Sequence, residues 1–231
     1  MITEREADLG EIKIIELDEA DVVTNDDAAQ ELRDELKNMG VFMVNMMGAP
    51  GSGKTELLKK TIPVMSKDHT VGCMCTDLDT TLDSEQISKV CNNVVQFHTG
   101  GMWPYVAADG SRMGLMELIS EDVNLVFLEN LGVLISAAAW DTGSTINVVT
   151  VSTSGGADAP LKYSYIFAIA DAVIITKSDL SQATGFDPKV CEKNIRTVND
   201  SCPVFTVSAK SGEGINEWCS WLGQQISSYV G

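Results

Sequence analysis

The chain is short of positive charge. Its 231 residues hold 16 lysines and arginines against 33 aspartates and glutamates, a formal net charge of −17. A field of that sign repels polyanions, so partners of the nucleic-acid or anionic-membrane kind are not expected. No apolar run is long enough to span a bilayer. The N-terminus lacks a basic segment followed by an apolar stretch, so no secretory signal is read. The six cysteines, Cys73, Cys75, Cys91, Cys191, Cys202 and Cys219, form no CxxC pair and no disulfide-like spacing. Free thiols and a cytoplasmic setting are expected. Internal repeats and low-complexity linkers are also missing, and 231 residues suffice for one domain with a substantial core.

What the sequence does contain is alternation. A compact apolar run at 41–47 is followed by strand-like segments at 70–75, 94–97, 124–128, 147–151, 172–176 and 204–207. Helix-like segments at 55–66, 84–90, 113–120, 161–170, 188–199 and 213–230 lie between and after them. The strands are short and apolar on both faces, as strands covered by helices on both sides must be. The expectation is a single α/β domain with a mainly parallel sheet. Residues 1–40 are read as an N-terminal arm and helix, with an extended stretch at 11–17 and a helix at 26–39 stopped by Gly40. Residues 41–231 are read as the domain proper. Ligands in such sheets sit beyond the carboxyl ends of the strands.

At the end of the first apolar run stands Gly48-Ala49-Pro50-Gly51-Ser52-Gly53-Lys54-Thr55, which fits GxxxxGK[ST]. The glycines let successive N–H groups point into one concavity that binds phosphate, assisted by the next helix's N-terminus. Lys54 would reach the β- and γ-phosphates and the Thr55 hydroxyl would ligate magnesium. The pattern arises by chance in roughly one chain of this length in a hundred. Its position between a strand and a helix identifies a P-loop NTPase.

The base is read from two later segments. Thr176-Lys177-Ser178-Asp179 follows the strand at 172–176 and resembles the [NT]KxD motif. A carboxylate there accepts two hydrogen bonds from guanine N1–H and the 2-amino group, a donor pair that adenine lacks. Two such bonds give about 10²–10⁴-fold preference. Ser208-Ala209-Lys210 follows the next strand and resembles the SAK motif, whose N–H meets guanine O6. GTP and GDP are therefore the expected nucleotides. A nucleotide kinase would need an arginine-rich lid, and only Arg112 and Arg196 occur after the P-loop.

Glu129 closes the strand at 124–128 where a magnesium-binding carboxylate belongs. Gly132, in Glu129-Asn130-Leu131-Gly132, is placed to sense the γ-phosphate. Asp77 is the candidate for positioning magnesium or the attacking water, with Asp79 and Asp83 read as solvated neighbours. The catalytic set is thus Lys54, Asp77, Glu129 and Gly132, and the magnesium set Thr55, Asp77 and Glu129.

With these residues in place, the sequence from about residue 12 onward resembles the hydrogenase nickel-incorporation GTPases, HypB, kin of the urease accessory GTPase. The specific pieces are Val44-Asn45 before the P-loop, Leu128-Glu129-Asn130-Leu131-Gly132, Pro160-Leu161-Lys162-Tyr163, and Ser211-Gly212-Glu213-Gly214 with Trp218. The resemblance implies a magnesium-dependent, slow GTPase that forms a GTP-dependent homodimer with its nucleotides near the interface. It further implies a part in metalloenzyme maturation, with a client metalloenzyme or another maturation factor as partner. Lys162 would lie beside the interface and contact the partner's nucleotide. One departure stands out. The family's adjacent Cys-His pair, which ligates nickel or zinc, aligns with Trp103-Pro104, neither of which can ligate a metal. Cys73, Cys75 and His98 are the weak replacement candidates for Ni2+ or Zn2+. An alternative reading follows, a GTP-dependent dimeric switch or chaperone that carries no transition metal itself.

Overall fold

The computed structural model describes residues 13–16, 25–100, 105–118 and 122–230. In chain order the described elements are β1 (Lys13–Glu16), α1 (Asn25–Met39), β2 (Phe42–Gly48), α2 (Lys54–Met65), β3 (Val71–Asp77), α3 (Leu82–Ile87), β4 (Asn93–His98), α4 (Ala108–Leu118), β5 (Leu125–Glu129), α5 (Leu134–Ala139), β6 (Ile146–Ser152), α6 (Ala159–Lys162), α7 (Ser164–Ala168), β7 (Ala172–Thr176), α8 (Ser181–Thr184), α9 (Pro188–Val198), β8 (Val204–Thr206) and α10 (Ile215–Val230). The eight strands form one sheet in the order β1-β4-β3-β5-β2-β6-β7-β8. Every pairing is parallel.

Side chains alternate across this sheet with period two, and each set finds its own helices. Phe42, Val44 and Met46 of β2 share one core with Leu57 and Ile62 of α2 and Trp218 and Leu222 of α10. Met43 joins Ala29, Leu32 and Leu36 of α1 and Leu115 of α4 on the other side. Met47 meets Ala137 of α5, Phe167 of α7 and Ile195 of α9. Strands β2, β5 and β7 are buried along their whole length. This explains why their sequences read as largely apolar runs.

Residues 1–40, read as preceding the domain, supply β1 and α1 to the same sheet and core. The helix expected at 161–170 is two short helices. Pro160 stands in the first turn of the first, and Tyr163, at φ −119° and ψ 46°, leaves helical geometry between them. The last helix starts at Ile215 rather than 213, after Gly214 at φ 74°. Short α5 and α8 lack a sequence periodicity long enough to mark them. Among the described residues no helix is long and apolar enough to cross a membrane.

Because α1 packs into the core, cutting Leu36 (0 % exposed) to alanine is expected to cost about 2–5 kcal/mol of stability. Urea unfolding measures it; a loss below about 0.5 kcal/mol, as at a surface site, would show that α1 is a dispensable arm.

Candidate functional site

All strands run the same way, so the loops after β2, β3, β5, β7 and β8 gather at one end of the sheet. There the segments after β2, β3, β5 and β7 border a cleft of about 540 Å³ lined by residues that include Lys54, Thr55, Asp77, Asp83, Glu129 and Gly132.

The loop from Gly48 to Gly53 is clamped from one side. Ser52 Oγ lies 2.7 Å from Thr150 Oγ1, which itself donates to Met47 O at 3.0 Å, so Ser52 is the donor of the first bond. Thr176 Oγ1 donates to Ser52 O at 2.5 Å, and Lys177 Nζ donates to Gly51 O at 2.7 Å. The segment expected to read the base therefore also grips the phosphate loop. Gly48 is required by this packing: a Cβ there would strike Thr150 and lie 2.7 Å from Ser52 Oγ. Lys54 turns back over the loop and donates from Nζ to Gly48 O at 3.0 Å. Burial pushes its amine below the ordinary lysine value, while Glu129 and Asp83 oppose that shift.

The acidic partner is Glu129 at the end of β5. It is 3 % exposed, and Thr55 Oγ1 donates to its Oε1 at 2.6 Å. The same hydroxyl lies 3.1 Å from Asp83 Oδ1. Burial raises the Glu129 carboxyl to about 7; the Thr55 bond and Lys54 pull it down, and Asp83 and Asp77 add to the rise. Glu129 Oε2 is buried without a protein partner. A hydroxyl and two carboxylates, one of them with an orphaned buried oxygen, make an all-oxygen donor set, which suits a hard cation such as magnesium.

Asp83 is the residue the sequence reading misplaced. It stands in the first turn of α3, where an acid is ordinarily a solvated complement to the helix dipole. Here that turn lies against Thr55. Asp77 also borders the cleft, but its Oδ1 accepts the N–H groups of Asp79 and Thr80 at 3.1 Å each, which turns the chain after β3. Of the two, Asp83 reaches Thr55. Asp79 is exposed as expected.

At the far end, Ser208 Oγ donates to Asp179 Oδ1 at 2.6 Å and itself accepts from Ser211 N at 3.1 Å. Ser178 N donates to Val207 O at 3.0 Å. The two segments expected to read the base are thereby fixed to each other, with Asp179 and Lys210 exposed and Ala209 half-buried between its neighbours. Gly132 closes the cleft on the other side; a Cβ on it would come within 2.9 Å of Pro50 N. Ala49 O, inside the loop, accepts from Ser52 N at 3.0 Å.

Three expected residues stand elsewhere. Lys162 is exposed on α6 and pairs with Asp158 at 2.7 Å, outside the cleft. Cys73 and Cys75, proposed as metal ligands across a dimer, are 0 % and 1 % exposed in the core beside α2 and α3. Their sulfurs are 3.9 Å apart, and both thiols are pushed above the ordinary value: Cys73 chiefly by its hydrogen bond with Cys75, Cys75 by burial against that bond's lowering effect. Neither can meet a second chain, so this candidate is withdrawn. His98 ends β4 in register with Asp77. Trp103-Pro104 lies outside the described residues. Among the described residues no group of three or more His, Cys, Asp or Glu side chains converges as a metal site.

A parallel sheet with a clamped glycine loop between its central strand and a helix, a lysine and threonine at the helix start, and a buried carboxylate facing them define a P-loop nucleotide-binding protein. Residues 42–206 match the nucleotide-binding domain of the CobW/HypB/UreG family. The chain belongs to that family. It is 33 % identical over 217 residues to the hydrogenase maturation factor HypB of Azotobacter chroococcum, covering 94 % of this chain and 71 % of the relative. It is 34 % identical over 205 residues to the hydrogenase/urease maturation factor HypB of Helicobacter hepaticus, covering 87 % and 84 %. The crystal structure of HypB from Helicobacter pylori in complex with nickel superposes with a TM-score of 0.83 at 25 % identity, covering 90 % of this chain and 97 % of that one.

A carboxyl held near 7 when folded and near 4.5 when unfolded keeps its proton longer in the native state. Native stability then falls as pH rises from about 4.5 to about 7 and levels off above. Glu129→Gln removes that loss. In nucleotide-free, metal-free protein it is expected to stabilise by up to about 3 kcal/mol at pH 8 and by little at pH 4.5. Urea melts across this range check it; a pH-independent difference would mean that Glu129 titrates normally.

Proposed function

We propose that the chain binds and slowly hydrolyses GTP and that this cycle serves the assembly of a metallocentre in a client enzyme. The observation that carries the reading is the convergence of Lys54, Thr55, Glu129 and Asp83 on one cleft that Lys177 also lines, two residues before Asp179 in its bond to Ser208.

The residues divide the work. The N–H groups of the 48–55 loop and the start of α2 surround the phosphates. Lys54 exchanges the neutral carbonyl of Gly48 for anionic phosphate oxygens. Thr55, Glu129 and Asp83 would hold magnesium, which supplies positive charge at the β- and γ-phosphates. Asp77 orients a water for attack on the γ-phosphorus as the bond to the bridging oxygen breaks, and the Gly132 N–H meets the γ-phosphate. No arginine lines the cleft among the described residues. Positive side-chain charge near the transferring group is left chiefly to Lys54, which accords with slow turnover.

Lys54→Ala is expected to lose nucleotide binding or turnover. Asp179→Asn should move preference from GTP to xanthosine triphosphate by about 10²-fold or more, since that base offers a carbonyl where guanine has its amino group. Competition binding decides this; an unchanged order of preference would refute guanine recognition.

Ile135 of α5, Leu161 of α6 and Tyr165 of α7 are exposed at 74 %, 50 % and 61 %, and α5 packs on α7. This apolar face, with Lys162, supports a GTP-dependent homodimer. A second reading, a dimeric switch that carries no transition metal, is favoured by Trp103-Pro104 and by the burial of Cys73 and Cys75. Light scattering with a non-hydrolysable GTP analogue and magnesium should show the dimer, and a persistent monomer would exclude it. Nickel and zinc titrations of the same sample separate the readings. Tight, nucleotide-dependent binding near one metal per dimer supports direct metal delivery; binding no tighter than micromolar supports the switch.

A further inference from the structure

Strand β2 is apolar throughout except for Asn45, which is 1 % exposed. An amide in such a place costs stability unless every polar atom is matched. It is matched on both sides. Asn45 Nδ2 donates to Asn147 Oδ1 of β6 at 2.9 Å, and Asn45 Oδ1 accepts from Asn130 Nδ2 at 3.0 Å. Asn130, 2 % exposed, uses its own Oδ1 to accept from Leu131 N at 2.8 Å, and its backbone N donates to Met46 O at 3.1 Å. The polarity of this chain of amides is fixed by chemistry. Leu131 N is a backbone donor, so Asn130 must accept with oxygen and donate with nitrogen, which obliges Asn45 to do the same towards Asn147.

The chain ends one residue before Gly132, the residue packed on Pro50 of the phosphate loop. We infer that Asn45, Asn130 and Asn147 form a buried positioning relay that holds the 131–132 peptide where its N–H distinguishes GTP from GDP. A register-holding amide would stabilise both nucleotide states equally. A relay aimed at the γ-phosphate must act on the triphosphate alone. This rests on the GTPase reading above.

The test measures magnesium-dependent affinities of the full chain for GDP and for a non-hydrolysable GTP analogue, with melting temperatures alongside. In Asn45→Ala the analogue is expected to weaken about tenfold while GDP stays within about twofold. The double variant with Asn130→Ala should cost no more than the larger single loss, because the residues act as one unit. If Asn45→Ala fails to fold, the half-buried end supplies the pair: Asn147→Ala should lose part of the preference, and Asn147→Asp, which keeps the accepting oxygen, should retain it. Equal weakening of both nucleotides, an unchanged ratio in folded variants, or additive losses would overturn the relay. Wild-type protein that binds neither nucleotide would overturn the GTPase reading and the relay with it.

Discussion

A carboxylate at the end of β5 cannot be buried cheaply. Glu129 is almost wholly removed from water and keeps only the Thr55 hydroxyl within bonding distance. The surroundings accommodate it through the nearby amine of Lys54, itself buried. Each charge lessens the cost of burying the other, though burial still dominates at both groups and moves each towards its neutral form. Both are held by strand ends and a helix start rather than by flexible loops. That constraint organises the site: β2 and β5 must be neighbours in register, α2 must begin at residue 54, and the loop between must curl tightly.

The two halves of the cleft are mechanically joined. Thr176 and Lys177 touch the carbonyls of Ser52 and Gly51, so the strand end expected to read the base is also a brace for the phosphate loop. Gly132 abuts Pro50 from the opposite side. The loop is held between the end of β7 and Gly132, so a shift at one contact bears on the other through the loop itself.

The phosphate loop between β2 and α2, the parallel sheet and the place of Glu129 at the end of β5 were legible in the sequence, because each depends on local spacing or on an apolar run of strand length. Asp83 was not. Its importance comes from α3 lying beside α2, a tertiary fact with no local mark; as an acid in a first helical turn it resembles an ordinary dipole complement. Cys73 and Cys75 erred the other way. Their spacing placed both on one face of a strand, correctly, but spacing does not say that the face is covered by α2 and α3. The break at Tyr163 was equally hidden, since an apolar run carries no sign of a single residue leaving helical geometry.

Family membership narrows what the site does, and the chain's own residues narrow it further. A P-loop site can serve hydrolysis or phosphoryl transfer to a second substrate. Transfer needs groups that close over an acceptor, ordinarily arginines. Arg33, Arg112 and Arg196 are committed elsewhere: Arg33 to Asp141 across the α1 side, Arg112 to Glu35 and Asp109, Arg196 to the carbonyl of Cys202. The described wall of the cleft instead offers Gly132, apolar Leu131 and Val133, and acidic groups. Of these, Val133 is 41 % exposed. These arginine commitments favour the proposed reading, in which water rather than a second bound substrate takes the phosphoryl group.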